Sequence, residues 1–218
     1  MKKRSFAAAL FLILCMLCAC SSDRKDKYEA YIRSLIDANY LGITDEYTDA
    51  TGVSAEDAEA AYRSNIRRLA DNLRSYYGIP AGDSDEPDSS FLELAEKIYG
   101  KTRYEISPVR EEDGVSYVDV TIYPIDILNS THDKVTSYIS GLDQKVASGE
   151  FNDTVKEDYL NTLTSGIIDI LNSEAESMPY KEPVTITTRI ITGKTDYYIS
   201  DADFQAIDKA ILAAATED

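Results

Sequence analysis

The sequence predicts an α+β fold, with helices packed on one face of a roughly four-stranded antiparallel sheet made of two hairpins. Three observations support this class. Apolar residues recur with the 3.6-residue period of a helix in several segments, and the period changes to two around two turn sequences. The helices and strands also occur in separate groups, which favours an antiparallel sheet over alternating parallel units. The predicted order is three helices, a hairpin, two helices, a hairpin and a helix.

The first three helices precede the first hairpin. Apolar residues from Tyr28 to Tyr40 share one helical face, and Gly42 is a natural end for that helix. A second helix should begin at Ser54, where Asp57 three positions later forms a sequence typical of a helix start. Its stripe includes Tyr76. A short third helix is predicted over residues 90–99.

Three more helices are predicted in the second half of the chain. Two stripes cover residues 135–146 and 155–171, and Gly149 separates them. The first of these stripes ends at Val146. Ser200 should cap the last helix, because an acidic residue again follows three positions later.

Alternating apolar residues predict the two hairpins. Asp113 and Gly114 form a strong hairpin turn sequence, and Pro108 indicates an edge or a bulge in the first strand. The second hairpin should turn at Gly193-Lys194. The four predicted strands are residues 104–109, 115–123, 184–190 and 197–199.

The strand positions opposite the core residues form a candidate binding face. Because side chains alternate along a strand, the residues between the apolar ones should share the other face of the sheet. That face would combine aromatic and polar groups suited to a peptide, a glycan or a small ligand. The alternative is a sheet face that merely contacts water. The candidate residues are Tyr117, Asp119, Thr121, Tyr123, Thr185, Thr187 and Arg189.

The N-terminus has the pattern of a secretory leader. Three basic residues precede a 14-residue apolar run, residues 6–19. This run is shorter than the about 20 residues that a membrane-spanning helix needs, but it fits a signal peptide. The sequence Leu17-Cys18-Ala19-Cys20 resembles a bacterial lipobox, in which a small residue precedes the cysteine that is acylated. Cys20 is therefore the predicted lipidation site, and an ordinary secretory signal is the alternative.

This pattern divides the chain into three parts: a lipoprotein signal peptide over residues 1–19, a short membrane-proximal linker over 20–27, and a single α+β domain over 28–218. The three cysteines all lie at or before position 20. The domain therefore has no disulfide, thiol nucleophile or cysteine metal site. The predicted location is extracytoplasmic, with Cys20 anchored in the lipid bilayer of the cell membrane.

Composition and motifs exclude several functions. The formal charge of −17 argues against nucleic acid, which needs a basic surface. His132 is the one histidine, so a His-based triad or metal site lacks parts. Gly193-Lys194-Thr195 lacks the first glycine of a phosphate-binding loop. Acidic clusters at 45–49 and 83–88 match no calcium loop and are interpreted as solvated. No cofactor and no metal are expected.

The functional expectation is a membrane-anchored binding or interaction module of the cell envelope, with an envelope protein or a glycan as partner. The sequence shows no catalytic motif, so the protein is not expected to be an enzyme. The main alternative is a hydrolase of the envelope that acts through a carboxylate pair; a substrate-binding lipoprotein of a transporter is disfavoured, because such receptors usually need two larger α/β lobes. With 39 acidic residues, such a pair cannot be recognised from the sequence.

Several short motifs resemble an uncharacterised family of small surface lipoproteins from clostridia-like Gram-positive bacteria. The resemblance covers most of the domain, and it implies a cell-surface location without any established catalytic residue. The residues that carry it are Leu35–Gly42, Tyr47, Ser54–Ala58, Lys101–Tyr104, Gly114, Tyr117–Val120, Tyr180, Pro183 and Val184.

Overall fold

A computed structural model describes residues 24–80, 89–150, 156–193 and 197–215. Over these ranges it confirms the predicted α+β class, with seven helices and an antiparallel sheet of five strands. The predicted leader, Cys20 and the acidic segment 81–88 lie outside the described residues.

The helices are α1 (24–36), α2 (Asp45–Thr51), α3 (Ala55–Tyr76), α4 (Ser89–Tyr99), α5 (Ile127–Ala147), α6 (Lys156–Ser177) and α7 (Asp201–Ile211). The strands are β1 (Arg103–Ile106), β2 (Arg110–Glu112), β3 (Val115–Tyr123), β4 (Val184–Thr192) and β5 (Tyr197–Tyr198). Helix α1 continues into a π-helical turn, Asp37–Leu41, which Gly42 ends with a φ of 70°. Glycine suits this position because the left-handed conformation strains other residues.

Local capping explains the helix starts that were predicted best. The Ser54 hydroxyl accepts a 3.1 Å hydrogen bond from the backbone N–H of Asp57 at the start of α3. Ser200 accepts an equivalent 3.1 Å bond from Asp203 at the start of α7. These bonds satisfy backbone donors that the helix itself leaves unpaired.

Two helices differ from their predictions. Helix α2 carries the acidic cluster at 45–49, where the sequence predicts no helix, because none of its residues is buried and it therefore has no apolar stripe. Helix α5 begins at Ile127, well before the stripe that predicted it. Two residues assigned to apolar stripes are also largely exposed: Tyr76 at 42% and Val146 at 43%.

The sheet has the order β1-β3-β4-β5, and β2 pairs with β3 beyond the end of β1. The first predicted strand, residues 104–109, therefore ends at Ile106, and β2 is a further strand that the sequence did not predict. Pro108 has no N–H to donate, which is consistent with a break at an edge. Asp113 and Gly114 form the turn into β3 with φ values of 50° and 78°, the positive values that a type I′ hairpin turn requires.

The core lies against one face of β3. Val118, Val120 and Ile122 are fully buried there, and α7 packs on both β3 and β4. Around this centre α3 packs on α4, and α5 packs on α6. Within the described ranges, no helix is both long and apolar enough to cross a membrane. The opposite face of β3 and β4 carries the polar side chains that alternate with these core positions.

Candidate functional site

The seven candidate residues lie together on one face of the sheet. In the β3–β4 ladder, Tyr117 is opposite Arg189, Asp119 is opposite Thr187, and Thr121 is opposite Thr185. Residues directly opposite each other in an antiparallel pair share a face. Tyr123 follows at the end of β3, so the alternation that predicted this face places all seven side chains correctly.

Solvent reaches this polar face. The four candidate residues of β3 are half-buried, whereas Thr185, Thr187 and Arg189 of β4 are exposed. Their neighbours along the strands alternate toward the core, where Val118 and Thr188 are fully buried. The helices therefore cover one side of the sheet and leave the other open.

Asp119 is the centre of the first hydrogen-bonded group on the polar face. Its carboxylate accepts a 2.6 Å hydrogen bond from the Thr187 hydroxyl and forms an ion pair with Arg110. Arg110 also donates a 3.0 Å bond to Glu112, and its guanidinium lies 5.6 Å from the centroid of the Tyr117 ring. The Thr187 bond, together with Arg110, lowers the pKa of Asp119. The carboxylate is therefore ionised at neutral pH.

A second group lies at the Tyr123 end of the face. The Tyr123 hydroxyl donates a 2.7 Å bond to Glu105, and this bond raises the pKa of Tyr123. The guanidinium of Arg103 stacks 4.0 Å above the same ring, close enough for a cation–π contact. Thr121 and Thr185 share a 2.9 Å hydroxyl–hydroxyl bond across β3 and β4.

The sequence reasoning missed the β1 and β2 members of this face. Arg103 and Glu105 alternate with Tyr104 and Ile106, so the same two-residue period could have assigned them to it. Arg110 lies opposite Tyr117, a pairing that depends on the break between β1 and β2. With these additions the face is locally balanced in charge, although the whole chain carries −17. Its charged residues are Arg103, Arg110, Arg189, Glu105, Glu112 and Asp119.

The other sequence candidates are dispersed. His132 lies on an exposed side of α5, and the acids at 45–49 lie on α2. Lys194 and Thr195, like the acids at 83–88, are outside the described residues. Among the residues that the structure describes, no three His, Cys, Asp or Glu side chains are arranged to hold a metal ion.

Comparisons with known proteins identify a structure with the same fold, and they give no information on the site. No protein-family model matches the chain, and no curated protein matches its sequence. A solved structure of a candidate lipoprotein, ycdA from Bacillus subtilis, shares the fold with a TM-score of 0.61 and 12% sequence identity. The match covers 90% of this chain and 59% of that chain, so this chain spans little more than half of its neighbour.

At this identity the comparison shows a common fold. The family resemblance, with its lipoprotein assignment and its clostridial relationship, stays a prediction. The class that fold and site define is therefore an α+β domain with one helix-covered and one open sheet face.

Proposed function

We propose that the protein is an extracytoplasmic lipoprotein, attached to the membrane through acylated Cys20, whose polar sheet face binds a partner in the cell envelope. The leader sequence and the fold shared with a candidate lipoprotein support the location. The observation that carries the binding role is the open, charge-balanced polar face opposite the helix-covered core.

The position of the N-terminus supports a defined orientation. Arg24 and Tyr28 line one cavity together with Gly114 and Arg189, so the chain enters the domain beside the turn between β2 and β3. Three residues lie between Cys20 and Arg24, and the four steps along the chain reach about 14 Å when extended. The β2–β3 turn would then face the membrane, and β3 would run outward from it.

The chemistry of the face suits a polar ligand. Tyrosine, threonine and arginine offer hydroxyl donors and acceptors, planar surfaces and guanidinium groups, which are common in protein and glycan recognition. Because the charges on this face are balanced, an anionic partner would be repelled less here than by the acidic remainder of the surface. A hydrolase finds less support, because Asp119 is held by Thr187 and Arg110, and Glu105 is held by Tyr123.

The anchoring part of the proposal is tested with Cys20→Ser in the source bacterium. The variant should leave the membrane fraction and lose incorporation of labelled fatty acid, because the serine hydroxyl cannot form the thioether. Labelling equal to that of the unmodified protein would contradict the proposal.

The binding part is tested by photo-cross-linking in intact cells. A cross-linking amino acid replaces exposed Thr185 on the polar face or, as a matched control, exposed Thr136 on α5. We expect only the variant with the cross-linker at Thr185 to give a discrete cross-linked protein or to co-sediment with purified cell wall. The Thr136 variant should give neither. Identical behaviour of the two positions would refute a binding role for the face.

A further inference from the structure

A second surface follows the outer edge of β4. Strand β4 pairs with β3 from Val184 to Ile190, but β5 covers its outer edge at Ile191 and Thr192 only. In the described part of the chain, no strand lies along the outer edge between residues 184 and 190. An uncovered edge of this kind is a template for another strand.

The register identifies the peptide groups that face outward. In an antiparallel ladder, alternate residues direct their N–H and C=O groups to opposite sides of the strand. The N–H of Arg189 points outward, since it donates to the carboxylate of Asp203 on α7 at 3.3 Å. Thr185 and Thr187 have the same parity, so their peptide groups also face the open edge, and both residues are exposed.

An apolar groove of about 960 Å³ adjoins this edge on the core side of β4. Val184 and Ile186 form one wall, and Val184 is 46% exposed. Helix α7 faces them with alanines, whose short side chains leave the space unfilled. The groove is lined chiefly by Val184, Ile186, Ala206, Ala210, Leu212 and Ala213.

We propose that the outer edge of β4 and this groove bind an extended peptide segment of another protein by strand addition. The peptide backbone would pair with the outward groups of Thr185 and Thr187. Alternate side chains of the peptide would then enter the groove, since successive residues of a strand face opposite sides. Small β-branched side chains at those alternate positions fit a groove whose walls are valine, isoleucine and alanine.

Size and charge favour a peptide over a second copy of the chain. The open edge spans five residues from Val184 to Thr188, or about 17 Å. A stable interface between folded proteins buries about 800 Å² on each partner, so an edge of this length suits a single peptide strand better than a second folded chain. Two copies would also each bring a charge of −17. Lys181 is paired with Asp126 at 3.6 Å, which leaves Lys209 against Glu182 at the groove rim. The rim is therefore balanced, and the overall negative charge of the chain favours basic residues flanking the peptide.

The test uses a capped peptide of sequence KTVTVTVTK and the mature lipidated protein in nanodiscs, with empty nanodiscs as reference. We expect binding with a Kd of about 100 µM, as measured by fluorescence anisotropy. A second peptide carries N-methyl groups on its central amides, which removes the donors that pair with β4. Its affinity should fall by about tenfold or more.

Two variants locate the site. Ala210→Leu fills the groove and should weaken binding by about fivefold or more, because the groove can no longer accept the peptide side chains. Gln205→Leu makes a comparable change at an exposed position on α7 that does not line the groove, and should leave the affinity unchanged. Circular dichroism verifies that both variants are folded.

Three results would overturn strand addition: no binding at about 1 mM peptide, equal affinity for the N-methylated peptide, or equal affinity of the Ala210→Leu variant. Thr185 and Thr187 supply only backbone groups to strand addition, whereas the proposed function depends on the side chains of the polar face. This inference and the proposed function can therefore fail separately.

Discussion

The hydroxyl of Tyr40 donates a 2.7 Å hydrogen bond to the carboxylate of Asp208, although 168 positions separate the two residues. Arg68 donates to the same oxygen at 2.7 Å. The π-helical turn after α1, the middle of α3 and the end of α7 thus meet at one carboxylate. Burial, and then the neighbouring Asp208, raise the pKa of Tyr40, so its hydroxyl remains a donor.

Tyr40→Phe should lower the free energy of unfolding by about 1–3 kcal/mol, because a partly buried carboxylate loses one of its two donors. Urea denaturation followed by circular dichroism measures the change. Tyr76→Phe is the matched control, since Tyr76 is 42% exposed, and its effect should stay within about 0.5 kcal/mol. Equal losses in the two variants would show that the bond to Asp208 does not stabilise the fold.

Ser200→Ala should destabilise the protein by about 1 kcal/mol, because the first turn of α7 loses its side-chain cap. The same urea assay measures it. At exposed Ser137 in the interior of α5, the same substitution should be neutral or slightly stabilising, since alanine favours helix interiors. A neutral Ser200→Ala would contradict the role of this cap.

Gly166→Ala should cost about 2 kcal/mol, because a Cβ there would lie 2.1 Å from Cζ of Tyr138 on the neighbouring helix α5. The Tyr138 ring is held in place by a 2.6 Å bond from its hydroxyl to the Thr162 carbonyl. Thermal unfolding of the Gly166→Ala variant and of the unmodified protein measures this loss of stability.

Gly141→Ala provides the control for this steric argument. A Cβ at Gly141 meets no atom within 4 Å, so alanine should stabilise α5 by about 0.5–1 kcal/mol. If both glycine variants changed stability in the same direction, the close packing at Tyr138 would not be the cause.

The protein should lose stability as the pH rises above about 10. Burial raises the pKa of Tyr31 to about 12, whereas an unfolded tyrosine titrates at about 10. A raised pKa in the folded state gives stability that is complete below the unfolded value and lost as the pH rises toward the folded one. In the Tyr31→Phe variant, the free energy of unfolding should therefore fall less steeply between pH about 10 and about 12.

Denaturation at a series of alkaline pH values, followed by circular dichroism, measures this decline. Tyrosinate absorbance of the folded protein gives an independent reading of the same titration. An unfolding free energy independent of pH up to about 12 would contradict the prediction.

The polar face shows how far sequence reasoning reaches. Alternation along β3 and β4 placed seven residues on one face, because the two-residue period of a strand is set locally. The same reasoning missed Arg110, whose contact with Asp119 depends on the break between β1 and β2. It also could not predict that β5 covers only the last residues of β4, since the length of a pairing depends on where both strands meet in space.

By itself the sequence determined the α+β class, the caps at Ser54 and Ser200, and the inward and outward sides of the strands, and it predicts the leader and the lipidation of Cys20. These features depend on spacing and on neighbours a few positions away. Only the tertiary structure decided that Asp208 binds Tyr40 and Arg68, that Arg110 binds Asp119, and that the outer edge of β4 is open. Asp208 lies 168 positions from Tyr40 and 140 from Arg68, so only the packing of the core brings them together, whereas Arg110 and Asp119 meet through the register between β2 and β3.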